Sequence, residues 1–143
     1  MARILLVEDD PFSRESMELI LEQAGHRLLI ARNGPAAMDV LRLEAPDLVL
    51  LDIAMPQMSG LEVLAVMRRG RHPKTPVLMT TASSANEHVR EATRLGANGY
   101  LLKPFQPEVL KARVAAVLKA TRREAVVDTS VYLSDDDRAR FNR

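Results

Sequence analysis

The sequence predicts an α/β domain in which helices cover both faces of a central parallel sheet. Five short apolar runs recur at intervals of about two dozen residues, and their length suits strands. The segments between them have the spacing of amphipathic helices. Alternating strands and helices favour right-handed crossovers between parallel strands. The predicted strands are Ile4–Val7, Leu28–Ala31, Leu48–Leu51, Val77–Thr80 and Tyr100–Leu102.

The first helix has recognisable ends. Asp10 can accept hydrogen bonds from the first free backbone N–H groups, and Pro11 suits the first helical position because no N–H is needed there. Gly25 can adopt the left-handed conformation that ends a helix. The apolar stripe predicted for this helix consists of Met17, Ile20, Leu21 and Ala24.

The second and third helices are also bounded by turn residues. The second is predicted to begin near Asn33–Pro35 and to end before Pro46. The third is predicted to run from about Leu61 to Arg69 and to stop at Gly70. Both segments therefore fit between consecutive strands, as a crossover connection requires.

The fourth helix carries Ser84 and Glu87, which have the spacing of a capping box, and it is predicted to close at Gly96. The fifth is predicted to open with Pro107. Its buried side is predicted to carry Val109, Leu110, Val114, Val117 and Leu118.

Residues 1–120 follow this regular pattern, and we interpret them as one domain. The pattern is lost from about Thr121. We expect residues 121–143 to be a C-terminal extension or the start of a linker or effector segment. Ser134 followed by Asp135–Asp137 resembles a helix N-terminus. Either this piece packs on the body or on a partner, or the natural chain continues past Arg143.

Composition excludes several functional classes. The 143 residues include no cysteine, which excludes thiolate catalysis, zinc–cysteine sites and disulfide scaffolds. The formal net charge of +1 gives no reason to expect nucleic acid or a membrane surface as a partner. No apolar run approaches the roughly 20 residues that span a bilayer. We therefore expect a cytoplasmic protein that binds neither nucleic acid nor membrane directly.

Polar residues lie at the ends of four predicted strands. They are Glu8–Asp9 at the end of the first strand, Asp52 at the third, Thr80–Thr81 at the fourth and Lys103 at the fifth. In a parallel sheet these ends lie at one edge, where the groups can converge. Clustered carboxylates repel one another unless a cation lies among them, and carboxylate oxygens suit Mg²⁺. An ammonium and a hydroxyl would complete a site for a phosphoryl group.

Four segments carry a family resemblance: ILLVEDDP, LVLLDIAMPQMSG, PVLMTTA and GYLLKPF. Together they resemble the receiver domains of bacterial response regulators over about residues 1–120. The resemblance implies a flavodoxin-like, doubly wound (βα)5 sandwich whose five parallel strands lie in the order 2-1-3-4-5. It also implies a phosphorylation-activated switch of a two-component signalling system.

The resemblance assigns a role to each acid. Asp52 is similar to the phosphoacceptor of the family. Asp9 corresponds to a direct ligand of Mg²⁺, with Mn²⁺ as a substitute, and Glu8 corresponds to a ligand that acts through water. Asp52 and the backbone carbonyl of Ala54 would also bind the metal. Ala54 and Ser83 occupy the positions that tune dephosphorylation, and their small uncharged side chains imply a moderate phosphoryl lifetime.

The same resemblance identifies the groups that respond to phosphate. Thr81 and Lys103 correspond to the residues that contact the phosphoryl oxygens. Thr81 would move toward the phosphoryl group and Tyr100, the aromatic switch residue, would turn inward. The surface of the fourth helix, fifth strand and fifth helix would change as a result. The family also implies a cis peptide bond before Pro104.

The implied phosphodonor is a sensor histidine kinase or a histidine phosphotransfer protein, and the implied reader is a downstream protein or effector domain. Apart from its own phosphorylation and dephosphorylation, we expect no enzymatic activity. One alternative is a receiver-like interaction module that is not phosphorylated. A less favoured alternative is a hydrolase with an aspartyl-phosphate intermediate. Such hydrolases use Asp-x-Asp at the first strand, whereas Asp52 ends the third strand and position 54 is alanine.

Other residues have simpler interpretations. His26, His72 and His88 are scattered in polar surroundings, and we expect all three at the surface. Met55 and Met58 lie in the loop that follows Asp52. We expect them to pack this loop against the body of the domain.

Overall fold

The computed structural model describes residues 1–82 and 86–131, with side chains described at 1–82 and 87–122. Five parallel strands form one sheet in the order β2-β1-β3-β4-β5, which confirms the predicted architecture. The strands are β1 (Arg3–Val7), β2 (Arg27–Ala31), β3 (Leu48–Asp52), β4 (Val77–Thr81) and β5 (Gly99–Leu102).

Within the described ranges, five helices connect and follow these strands: α1 (Pro11–Gln23), α2 (Gly34–Leu43), α3 (Gly60–Arg69), α4 (Asn86–Arg94) and α5 (Pro107–Val131). Asp10 caps α1 by accepting a hydrogen bond from the Ser13 amide at 2.8 Å. Gly25 and Gly96 have φ values of 91° and 88°, and they follow α1 and α4 as the sequence predicted. Ser59 and Glu62 form a full capping box, so α3 begins one residue before the predicted Leu61.

Each face of the sheet has its own core, because successive side chains of a strand point to opposite faces. Leu51 and Met79 belong to the core under α2, α3 and α4. Leu50 and Leu78 belong to the core under α1 and α5. All four are fully buried. This alternation also decides the side of the sheet on which each strand-end residue lies.

Some local predictions were wrong. Val109 is 39% exposed, because the buried stripe of α5 is Leu110, Val114 and Val117 and Val109 lies one position off it. Ala24 is exposed, because it lies beyond the last helical residue as the C-cap of α1. His72 is buried rather than at the surface.

The end of the chain differs in part from the prediction. Helix α5 continues through Thr121 to Val131, although the apolar pattern was predicted to fail at Thr121. The boundary near residue 120 therefore falls within a helix and stays a prediction. The predicted caps at Ser84 and Ser134 lie outside the described residues. Within the described part of the chain, no helix combines the length and apolar character needed to cross a bilayer.

Candidate functional site

The register of the sheet brings the strand ends together at its carboxyl edge. Val7 pairs with Leu51 across β1 and β3, so the next residues, Glu8 and Asp52, are neighbours. Backbone hydrogen bonds continue just past the strands, from the Glu8 amide to the Ala31 carbonyl at 3.1 Å and from the Lys103 amide to the Thr81 carbonyl at 2.7 Å. The functional side chains are therefore held by rigid backbone.

Three carboxylates form the centre of the site. Glu8 is 1% exposed and Asp52 is 4% exposed, while Asp9 is half-buried. One oxygen from each lies within 4.8 Å of the others. Hard oxygen ligands at this spacing suit a divalent cation such as Mg²⁺ or Mn²⁺. The group Glu8, Asp9 and Asp52 could therefore hold a metal ion, as the sequence predicted.

Lys103 brings a positive charge to these acids. Its Nζ forms an ion pair with Glu8 Oε1 and lies 3.7 Å from Asp52 Oδ2. The other oxygen of Glu8 accepts a hydrogen bond from the Asp10 amide at 3.2 Å. The Lys103–Pro104 peptide bond is cis, as the family resemblance implied.

The electrostatics of Asp52 reflect its crowded position. Burial and the neighbouring Glu8 carboxylate raise the pKa of Asp52 to about 7. Asp9 and a hydrogen bond with Glu8 act in the same direction, whereas the Lys103 ammonium opposes them. The surroundings of Asp52 favour the binding of a cation, because a cation would relieve the repulsion among the carboxylates.

The loop after Asp52 packs closely against the end of its strand. The Gly60 amide donates to the Ile53 carbonyl at 2.9 Å. A Cβ atom at position 60 would lie 2.1 Å from the Asp52 carbonyl oxygen, so only glycine fits there. Met55 and Met58 are half-buried against the core under α2, α3 and α4, which confirms their predicted packing role.

The two predicted switch residues are in contact. Thr81 is buried, and its side chain shares a hydrogen bond with the Tyr100 hydroxyl. Burial raises the pKa of Tyr100, and the hydrogen bond with Thr81 lowers it. Tyr100 is half-buried against the core under α2, α3 and α4. Its backbone carbonyl accepts a hydrogen bond from the Arg113 guanidinium at 2.9 Å, which connects β5 to α5.

The two predicted tuning positions are less informative. Ala54 is exposed two residues after Asp52. Ser83 lies outside the described residues. Their effect on phosphoryl lifetime therefore stays a prediction.

Arg14 contributes to the site although the sequence interpretation did not include it. Its side chain is 8% exposed, and its guanidinium donates to the backbone carbonyls of Glu8 at 3.1 Å and Asp9 at 3.4 Å. It thus supports the loop that carries two of the three acids. One signal was readable: Arg14 lies three residues before Met17, on the buried stripe of α1.

Comparisons with known proteins show the family of the chain. The model of the response regulator receiver domain family matches residues 4–115. The transcriptional regulatory protein AfsQ1 of Streptomyces coelicolor is 37% identical over 130 residues, covering 91% of this chain and 57% of that protein. The response regulator protein FleR of Pseudomonas aeruginosa is 42% identical over 114 residues, covering 80% of this chain and 24% of that protein. The chain thus spans less than two thirds of each relative.

Solved structures of single domains match over almost their whole length. The chemotaxis protein CheY4 of Vibrio cholerae superposes with a TM-score of 0.77 at 32% identity, covering 82% of this chain and 98% of that one. A CheY-like receiver domain protein of Methanospirillum hungatei gives a TM-score of 0.82 at 30% identity, covering 87% and 98%. The chain belongs to the response regulator receiver domain family, the phosphorylation-switched module of two-component signalling.

Proposed function

We propose that Asp52 accepts a phosphoryl group from a sensor histidine kinase or a histidine phosphotransfer protein. The observation that carries this proposal is the meeting of three carboxylates within 4.8 Å beside the Lys103 ammonium. Asp52 is the central acid of this group, because it ends β3, which lies between β1 and β4 in the sheet. Glu8 follows β1. The loop after Asp52 is also held in place by the close approach of Gly60 to the Asp52 carbonyl.

In the proposed reaction, a carboxylate oxygen of Asp52 attacks the phosphorus of a phosphohistidine. A P–O bond forms, the P–N bond breaks, and the imidazole leaves with its electron pair. Lys103 and the Thr81 hydroxyl then hold the phosphoryl oxygens. Water later attacks the phosphorus and releases inorganic phosphate, which restores the Asp52 carboxylate. This self-modification is the only chemistry that we assign to the chain.

Glu8, Asp9, Asp52 and the backbone carbonyl of Ala54 are the proposed ligands of Mg²⁺, with Mn²⁺ as a substitute. When bound, the ion supplies positive charge that offsets the charge on the phosphoryl oxygens. Glu8 is engaged by Lys103 and by the Asp10 amide. We therefore assign Glu8 a ligand role through water and Asp9 a direct one.

The proposed output is a change in the surface formed by α4, β5 and α5. Thr81 would turn toward the phosphoryl group, and its hydrogen bond with Tyr100 gives this movement a route to β5. Arg113 extends the route to α5 through the Tyr100 carbonyl. Leu102 and Val109 are exposed on these elements, at 45% and 39%, and offer apolar contact to a downstream protein or effector domain.

The proposal is tested by incubating the chain with acetyl phosphate and Mg²⁺ and measuring intact mass. We expect a gain of one phosphate in the wild-type chain and none in Asp52→Asn. The matched control is Asp47→Asn, an exposed acid outside the site, which should be phosphorylated normally. A wild-type chain that gains no phosphate would favour the alternative, a receiver-like module that only binds partners.

Ala54 and Ser83 are proposed to tune the lifetime of the phosphoryl group. Loss of phosphate should change in rate in Ala54 or Ser83 variants, and an unchanged rate in both would remove them as tuning positions.

The absence of direct nucleic-acid binding and the cytoplasmic location stay predictions. A relative named as a DNA-binding response regulator, MtrA of Mycolicibacterium smegmatis, is matched over only 53% of its length.

A further inference from the structure

Thr80 carries a hydroxyl that the proposed reaction has not used. Its side chain is 1% exposed, and Oγ1 has no hydrogen-bond partner within the described part of the chain. Burying an unpaired hydroxyl costs stability, and native structures rarely retain one without a use. Valine would fill nearly the same space in a buried strand without that cost.

The position of Thr80 indicates what the hydroxyl can reach. The β3–β4 register pairs Leu50 with Leu78, and both side chains belong to the core under α1 and α5. Asp52 and Thr80 are paired two residues further on, so their side chains lie on this same face. Adjacent strands are about 4.8 Å apart, which puts Thr80 directly beside Asp52.

Lys103 lies on the other side of Thr80. Thr80 pairs with Leu101 across β4 and β5, and Leu101 also belongs to the core under α1 and α5. Lys103 follows Leu101 by two residues, and its ammonium pairs with Glu8 and lies 3.7 Å from Asp52 Oδ2. Thr80 therefore lies between Asp52 and the strand that supplies the ammonium. Thr81, by contrast, faces the opposite core and shares its hydrogen bond with Tyr100.

We propose that Thr80 is a positioning residue for Asp52 in the phosphoryl-transfer reaction. The inference rests on the proposed function. When Lys103 turns from the carboxylates to the phosphoryl oxygens, the Thr80 hydroxyl donates a hydrogen bond to the Asp52 oxygen that does not attack. This bond fixes the rotation of the carboxylate, so that the other oxygen faces the phosphorus. The hydroxyl keeps its proton and forms no covalent bond.

The test compares Thr80→Val with Thr80→Ser. Valine removes the hydroxyl and nearly keeps the volume, whereas serine keeps the hydroxyl. Initial rates of phosphorylation by acetyl phosphate are measured by intact mass at saturating Mg²⁺, and thermal unfolding is measured without Mg²⁺. We expect Thr80→Val to be at least as stable as the wild type and to be phosphorylated about tenfold more slowly. Thr80→Ser should keep a rate within about threefold of the wild type.

The matched control is Thr121→Val, which removes a threonine hydroxyl that bonds only the Val117 carbonyl within α5, outside the acid site, and should leave the rate unchanged. If Thr80→Val fails to fold, the pair Thr80→Ser and Thr80→Ala isolates the hydroxyl, and the serine variant should be faster by the same factor. A folded Thr80→Val phosphorylated at the wild-type rate, or equal rates for serine and alanine, would overturn the inference. Failure of the proposed function is a different result, because the wild-type chain would then gain no phosphate on Asp52.

Discussion

The two edges of the sheet both bury charged or polar side chains, but they satisfy them differently. At the carboxyl edge, Glu8 and Asp52 lie together, and Lys103 is the cation between them. At the amino edge, the half-buried Arg68 and the buried His72 donate to neutral backbone carbonyls. The first arrangement leaves repulsion among like charges, and the second leaves none.

The amino edge is organised around Arg68, and we call Arg68 and its acceptors the Arg68 cluster. One guanidinium nitrogen donates to the carbonyls of His72 at 3.0 Å and Thr75 at 2.8 Å. The other donates to the Gly96 carbonyl at 2.8 Å and to Asn98 Oδ1 at 3.3 Å. Arg68 thus joins the loop before β4 to the loop before β5.

The end of α2 is held in the same way. His72 Nε2 lies 2.6 Å from the Leu41 carbonyl, and Arg71 donates to the Arg42 carbonyl at 2.7 Å. These carbonyls belong to the last turn of the helix, where no backbone donor is available. The comparison shows that side-chain donors satisfy backbone carbonyls at both edges, as Arg14 does beside Glu8 and Asp9. Only the carboxyl edge also keeps a group of acids that repel one another, and a cation and a phosphoryl group are expected there.

The largest effect on stability is expected at the Arg68 cluster. Arg68→Met should lower the free energy of unfolding by about 3 kcal/mol, because it removes four hydrogen bonds and leaves partly buried carbonyls unpaired. Phosphorylation below the unfolding temperature should stay normal. Urea unfolding measures the change, with the exposed Arg69→Met as the control. A loss of stability no larger than that of the control would contradict the structural role of Arg68.

For Lys103, the large effect should be on the rate of phosphorylation. Lys103→Met should slow phosphorylation by acetyl phosphate about 100-fold, because a preorganised donor to the transferred group is lost. Lys74→Met, an exposed lysine at the amino edge, is the matched control and should react normally. Intact mass over time gives both rates. A Lys103→Met rate close to that of the control would place the essential cation elsewhere.

Replacing Asp52 should show how much the acid cluster lowers the free energy of unfolding. Its folded pKa of about 7 lies above the unfolded value near 3.8, so between these values the folded chain holds a proton that the unfolded chain has lost. Stability from this group is therefore lost as pH rises through 7. In metal-free buffer, Asp52→Asn should be more stable than the wild type by about 1–2 kcal/mol at pH 8, and the difference should shrink toward pH 5.

Urea unfolding at the two pH values tests this expectation, and the exposed Asp39→Asn controls for loss of a surface charge. A difference between Asp52→Asn and the wild type that is the same at pH 5 and pH 8 would show that Asp52 does not carry the repulsion. Added Mg²⁺ should stabilise the wild type more than Asp52→Asn, because binding to the folded state alone raises stability.

The sequence alone determined the order of strands and helices and the residues at the strand ends, because apolar periodicity and turn residues are local signals. The alternation of strands and helices predicted a parallel sheet, in which the carboxyl ends of the strands lie at one edge. This was enough to predict that Glu8, Asp52 and Lys103 converge. The strand order came from the family resemblance, since crossover patterns do not specify which strands are neighbours.

Only the tertiary structure decided which side chains meet across the sheet. The burial of His72 depends on a carbonyl of α2 that lies 31 positions away, and no local pattern encodes that contact. The support of Glu8 and Asp9 by Arg14 and the burial of Thr80 beside Asp52 likewise depend on register and on helix packing. Local sequence specifies what each element presents, whereas packing specifies which partner each polar group finds or lacks.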